Sequence, residues 1–238
     1  MHHNVPAVTG AAMARIDRIM IQEMGVDMLQ LMEIAGFAVA DVARRHCGLD
    51  LTQQPAIVAL AGTGGNGGDA MVAARLLHAW GARATVVLLK PRQEFSGIAA
   101  HQLAILDRMG IPVQEPGDND PPPAEVIIDG LFGFSLQGNP RDEAARLITL
   151  ANAQPAPVLA IDVPSGLDAT SGEVSDPCIR ARWTVTLALP KTGLIVAPAD
   201  ITGAIWLADI GVPPDIYARI GVDVPGDLFA NRGIIPIL

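Results

Sequence analysis

Three segments of the sequence concentrate residues suited to chemistry, and each follows a short apolar run. The first, Gly62-Thr63-Gly64-Gly65-Asn66-Gly67-Gly68-Asp69, satisfies G-x-G-x-x-G at Gly62, Gly64 and Gly67. Glycines at that spacing let the backbone approach a pyrophosphate, while free N–H groups at a helix start face the anion. A tight turn alone would also use them, but a strand before and a helix after favour the nucleotide reading. The Lys-Ser/Thr of a nucleoside-triphosphate loop is missing, which disfavours kinase or ATPase chemistry. The second segment runs Asp129-Gly130-Leu131-Phe132-Gly133-Phe134-Ser135-Leu136-Gln137-Gly138, and the third Asp162-Val163-Pro164-Ser165-Gly166-Leu167-Asp168. Each opens on an aspartate with an apolar strand behind it and open space ahead. Such a carboxylate is either a loop-capping acceptor or an acid that handles a ligand. Three such loops together point to one composite site.

The elements that must position these loops alternate. Residues 11–45 have apolar positions at three- and four-residue spacing, a helix divided at Gly25. Ala56–Ala61 is a continuous apolar run, as in a strand covered on both faces. Helical spacing returns at 70–80 and ends at Gly81. Further strands are expected at 84–89, 125–129, 157–162, 183–189 and 204–208, with helices at 94–109 and 140–153, the latter opened by Pro140. Strands alternating with helices make βαβ units, and ligands of such sheets bind beyond the carboxyl ends of the strands. No linker divides residues 1–238, so one α/β domain is expected.

Composition narrows the function. The chain has 238 residues, 50% hydrophobic and 17% charged, enough to bury a core without covalent staples. Its net charge of −9, with the basic residues scattered, argues against nucleic acid as a partner. Cys47 and Cys178 form neither a disulfide framework nor a CxxC pair, and the five histidines lack metal-ligand spacing. No apolar run reaches the roughly 18 residues of a membrane span, and residues 1–10 do not read as a signal peptide. A cytoplasmic protein with no membrane contact is the expectation. The second strand ends Leu89-Lys90-Pro91-Arg92, where a simple NAD dehydrogenase would place an acid. Those cations could meet a 2′-phosphate, as in an NADP-linked oxidoreductase, or mark a solvated strand end. Lys191 could contact a phosphate or be a surface lysine.

The order Leu31-Met32-Glu33-x-Ala35-Gly36, Gly62-x-Gly64-x-Asn66-Gly67-Gly68-Asp69, Asp129-Gly130-Leu131-Phe132-Gly133 and Asp162-Val163-Pro164-Ser165-Gly166-Leu167-Asp168 resembles the YjeF N-terminal domain family. Pro190-Lys191-x-Gly193-Leu194 and Ala208-Asp209-Ile210-Gly211-Val212-Pro213 fit its later segments, so the similarity runs from about residue 10 to 215. The resemblance implies a three-layer αβα Rossmann-like domain with a central, mostly parallel sheet. It implies a homodimeric isomerase of nicotinamide nucleotide repair that interconverts the R and S forms of hydrated NADH and NADPH. It also implies a potassium ion on Asn66, Asp129 and Ser165. Substrate contacts would come from Gly65, Asn66, Gly67, Gly68 and Asp69, from Gly133, Phe134, Ser135, Leu136, Gln137, Gly138 and Asn139, and from Asp162. No dehydratase domain is expected before Leu238, so the partner dehydratase would be a separate polypeptide. The chain departs from the family pattern at Ile34, Gly65 and Ala70, where Asn, Asn and Gly are usual. A non-catalytic nucleotide- or protein-binding module of the same fold is the competing reading.

The reaction itself asks for little machinery. Hydration puts a hydroxyl on carbon 6 beside the ring nitrogen, a hemiaminal. Protonation expels it as water, the nitrogen lone pair leaves a planar iminium, and water returning to the other face inverts the centre. One carboxyl group must give and retake a proton. Asp162, with Pro164 stiffening its loop, is the expected group.

Overall fold

A computed structural model of the chain describes residues 5–136 and 138–237. The chain opens with helix α1 (Gly10–Arg18), whose N-cap Thr9 accepts from the Ala12 N–H, and a π turn at Ile19–Glu23 continues it. The predicted division at Gly25 is real: Gly25 takes a φ of 72°, and Asp27 and Gln30 form a capping box that starts helix α2 (Met28–His46). There follow β1 (Ala56–Ala61), α3 (Gly65–Ala79), β2 (Arg83–Leu88), α4 (Gly97–Met109), β3 (Val113–Gln114), β4 (Val126–Gly130), α5 (Asp142–Ala153) and β5 (Val158–Ile161). The remainder is β6 (Ala181–Leu187), α6 (Thr192–Val196), α7 (Ala199–Thr202), β7 (Ala204–Ala208), α8 (Pro214–Arg219) and β8 (Ile234–Pro236).

Among the described residues the strands form one sheet of order β3-β2-β1-β4-β5-β6-β7-β8, parallel except for β8. The central strands are covered on both faces, and their side chains divide with a period of two. Ile57, Ala59 and Ala61 join one core with α2, α3 and α4, while Val58 and Leu60 join another with Leu147, Ile148 and Ala151 of α5. The result is the expected three-layer αβα arrangement. No helix among the described residues is long and apolar enough to cross a membrane.

The chain leaves β1 toward β2 and β3, then returns to build β4 on the other side of β1. Between β1 and β4 the winding reverses, and this is the crevice where doubly wound sheets bind ligands. The Gly62 and Asp129 loops open on its two sides.

Three helix starts differ from the sequence reading. Helix α3 begins at Gly65 rather than residue 70, because the glycines form its first turn. A Cβ on Gly67 would lie 1.8 Å from the Gly62 carbonyl oxygen, and one on Gly68 2.2 Å from the end of Met32. Helix α4 begins at Gly97, after a separate 3-10 turn at Arg92–Glu94. Pro140 lies outside α5, whose N-cap position is Arg141. The short β3 and β8 and helices α6, α7 and α8 carry too few periodic positions to stand out in sequence.

Candidate active site

A cavity of about 390 Å³ occupies the crevice at the carboxyl ends of the strands. One wall is the start of α3 with Asp69, and a second is the loop after β4 from Leu131 to Ser135. Asp162, Leu187 and Lys191 close a third side, and Met13, Asp17, Met28, Leu31 and Met32 come from the two N-terminal helices. The N-cap Gly64 has no capping side chain, and the first N–H bonded within α3 is that of Gly68, to Gly64. The preceding N–H groups of that turn have no partner among the described residues and point where an anion could be received.

The two strand-end aspartates have different surroundings. Asp129 is fully buried, and its carboxylate accepts from the Ser165 N–H (2.8 Å), the Ser165 hydroxyl (2.7 Å) and the Leu131 N–H (3.2 Å). It ties the β4 loop to the β5 loop, as a capping acceptor would. Burial nevertheless pushes it up to about 6, against the lowering effect of those hydrogen bonds. Asn66 reinforces the tie by donating to the carbonyls of Phe132 (3.1 Å) and Ile161 (2.8 Å). The Ser165 hydroxyl, the Phe132 carbonyl and the Asp129 carboxylate thus gather beside Asn66 at the cavity. Among the described residues no group of three or more His, Cys, Asp or Glu side chains could hold a metal ion, so a cation here would rest on these oxygens and the one carboxylate.

Asp162 takes a φ of 66°, uncommon outside glycine, which turns its side chain away from its own loop. Its Oδ1 accepts from Lys191 Nζ, the Leu187 N–H (3.2 Å) and the Thr186 hydroxyl (3.3 Å). Lys191 also donates to the Leu187 carbonyl at 2.9 Å. Lys191 is therefore not a surface lysine, and it stands in the cavity wall. It is fully buried because Val8 pairs with the backbone on either side of it, through Pro190 and Thr192.

Two further carboxylates reach the cavity. Burial raises Asp69 well above the usual carboxylate range, and the charges of Asp162 and Asp17 add to this. Burial also raises Asp17 to about 6, with Lys191 lowering it and Asp162 raising it. Asp17 was not singled out by sequence, since it lies on an ordinary amphipathic helix outside every motif.

Of the expected substrate contacts, Gly65, Asn66, Gly67, Asp69, Gly133, Phe134, Ser135 and Asp162 line the cavity. Gly68 packs under Met32 instead. Leu136, Gly138 and Asn139 line a separate polar cleft of about 100 Å³ with Asp168, Glu173 and Ser175. Gln137 lies outside the described residues. Of the two cations read for a 2′-phosphate, Lys90 and Arg92, Arg92 already pairs with Asp107 and Glu115.

The model of the YjeF-related protein N-terminus matches residues 28–193. The chain belongs to the YjeF N-terminal family. Among the similar members, the NAD(P)H-hydrate epimerase of Dehalogenimonas lykanthroporepellens is 37% identical over 218 residues, 92% of this chain and 87% of that protein. The bifunctional NAD(P)H-hydrate repair enzyme Nnr of Moorella thermoacetica is 36% identical over 89% of this chain, which spans 41% of that longer protein. The crystal structure of yeast ynu0 (YNL200c) superposes with a TM-score of 0.83 over 98% of this chain and 100% of that one, at 24% identity. The fold shared with that structure therefore extends past the matched residues, to α1 and to β7 and β8.

Proposed function

We propose that this chain interconverts the R and S forms of hydrated NADH and NADPH. The carrying observation is the cavity at the β1/β4 reversal, in a chain 37% identical to a protein named for that reaction. It joins protonatable carboxylates to a buried ion pair and free helix N–H groups. The volume suits the hydrated nicotinamide ring and its ribose phosphate, within the ~300–1,000 Å³ typical of ligand sites. The phosphate side would take the free N–H groups of α3, and the apolar Met13, Met28 and Met32 the ring.

Asp162 stands in this reading as a catalytic residue with a narrower role than sequence gave it. Its Oδ1 is already occupied by three donors, so in this reading Asp162 stabilises charge instead of donating. A fixed carboxylate beside the ring favours the planar iminium over the neutral hemiaminal. Asn66, Asp129 and Ser165 would hold a potassium ion, since oxygen donors suit a hard cation. Bound there, the ion would supply positive charge that fixes the two strand-end loops. A homodimer and a dehydratase partner complete the proposal.

The test supplies R-form hydrate to an S-specific dehydratase, with and without this protein. Faster consumption of the R form is expected. A progress curve unchanged by the protein would refute the reading, and intact nucleotide binding in the same sample would then favour the non-catalytic module.

A further inference from the structure

Three carboxylates reach one cavity from three elements: Asp17 from α1, Asp69 from α3 and Asp162 from the end of β5. Asp162 is held by three hydrogen-bond donors. Charges also reach the other two across the cavity: Lys191 and Asp162 act on Asp17, and Asp162 and Asp17 on Asp69. These are the charged groups that face them. Much of the remaining wall is apolar, including Met13, Met28, Leu31 and Met32. Burial is the largest influence on both carboxyls and raises both, Asp17 to about 6 and Asp69 well above the ordinary carboxylate value. Two carboxyls raised by burial on one cavity are suited to giving and taking protons near neutral pH.

Inversion through a planar intermediate also needs two groups. A proton must be given on the face that the hydroxyl leaves, and another taken from water arriving at the opposite face. A single fixed carboxyl does not serve both.

We infer that Asp17 is a second catalytic residue, working with Asp69 so that one protonates the leaving hydroxyl and the other deprotonates the entering water. This rests on the epimerase reading above. In the R-to-S direction the Asp69 carboxyl gives its proton to the oxygen on carbon 6. That C–O bond breaks with its electron pair on oxygen, water departs, and the ring nitrogen lone pair becomes the second bond of C=N. Water then forms a new C–O bond on the opposite face, and the C=N pair returns to nitrogen. The surplus proton passes to the Asp17 carboxylate. Asp17, half-buried at the cavity edge, releases it to solvent while Asp69 regains one. The S-to-R direction reverses the roles.

The experiment compares the parent, Asp17→Asn and Asp17→Ala in the coupled assay between about pH 5 and 8. The parent should show an R-to-S rate that falls below about pH 6, where Asp17 takes up its proton. Asp17→Asn should lower kcat by about 10²–10⁴-fold, the usual worth of general acid–base help, with KM little changed and the acid limb gone. Formate should restore part of the rate to Asp17→Ala, which supplies a readout if the Asn variant folds poorly. An Asn variant with the parent's rate and profile overturns the inference while leaving the epimerase reading intact. Lost rate with the acid limb retained and no formate rescue, as a structural role would give, also overturns it. A parent that does not epimerise removes both.

Discussion

Lys191 Nζ and Asp162 Oδ1 form an ion pair with side chains only 1% and 2% exposed, at the rim of the cavity. The pair fastens β5 to the segment after β6, and through Val8 to the N-terminal segment. Removing one member of a buried pair strands the other charge, which costs about 3–5 kcal/mol. Lys191→Met should therefore lower unfolding free energy by that amount in urea titration. The double variant Lys191→Met/Asp162→Asn should recover much of the loss, because two neutral groups replace the pair. A single variant within about 0.5 kcal/mol of the parent, the range of surface substitutions, would show that the pair does not hold these segments together.

Legibility followed side-chain periodicity. The apolar runs at 56–61 and 126–128 named the central strands because both faces of them are buried, and their carboxyl ends named the crevice. The glycine loop was readable as a site but not as the first turn of α3. What makes it helical is the approach of Gly67 to Gly62 and of Gly68 to Met32, contacts between segments distant in sequence or folded back on one another. The same limit hid Lys191 and Asp17. A lysine in a loop and an aspartate on an amphipathic helix look solvated until β6, α1 and the N-terminal segment are assembled around them. Asp129 and Asp162 looked alike in sequence; the φ of 66° at Asp162 and its partners across β6 separate the cavity group from the loop cap.

The glycine positions differ in what they tolerate. A Cβ on Gly67 would meet backbone at 1.8 Å, whereas one on Gly65 meets nothing within 4 Å. Gly67→Ala should cost at least the ~1–3 kcal/mol of an overpacked site and disturb nucleotide binding. Gly65→Asn, the residue usual in the family, should leave stability nearly unchanged. Thermal melts and nucleotide titration on both check this, and equal costs would mean that the glycine run is not packed as described. Ala70 offers the companion case: a Cβ on Gly130 would lie 2.6 Å from the Ala70 Cβ, so Gly130→Ala should be severe here.

Asp17 also sets a pH dependence of stability. Its folded value of about 6 exceeds the ordinary 3.8, so between these values the folded state holds a proton that the unfolded state has shed. Stability must then fall as pH rises from about 4 through 6, and the loss is complete above that. Asp17→Asn removes this contribution. Its melting temperature should match the parent near pH 4 and exceed it increasingly toward pH 7. A constant difference across that window would show that Asp17 is not desolvated in the folded protein.

Asp129 should be intolerant of even its closest isostere. Three donors point at its carboxylate: the Ser165 N–H, the Ser165 hydroxyl and the Leu131 N–H. An amide at this position turns its own N–H₂ toward at least one of them, so Asp129→Asn sets donor against donor in a fully buried place. An unsatisfied buried group costs about 1–3 kcal/mol, and the lost bonds to a charged acceptor add to it. Asp129→Asn should thus melt well below the parent, while Asp162→Asn, which keeps an accepting oxygen for Leu187 and Thr186, should lose its charge pairing chiefly with Lys191. The same substitution tests the proposed ion. If Asn66, Asp129 and Ser165 hold potassium, the parent should melt higher in potassium than in sodium at equal ionic strength, and neither Asp129→Asn nor Asp129→Ala should distinguish the two salts. A variant that keeps the full potassium response would place the ion elsewhere, even if its stability falls as expected.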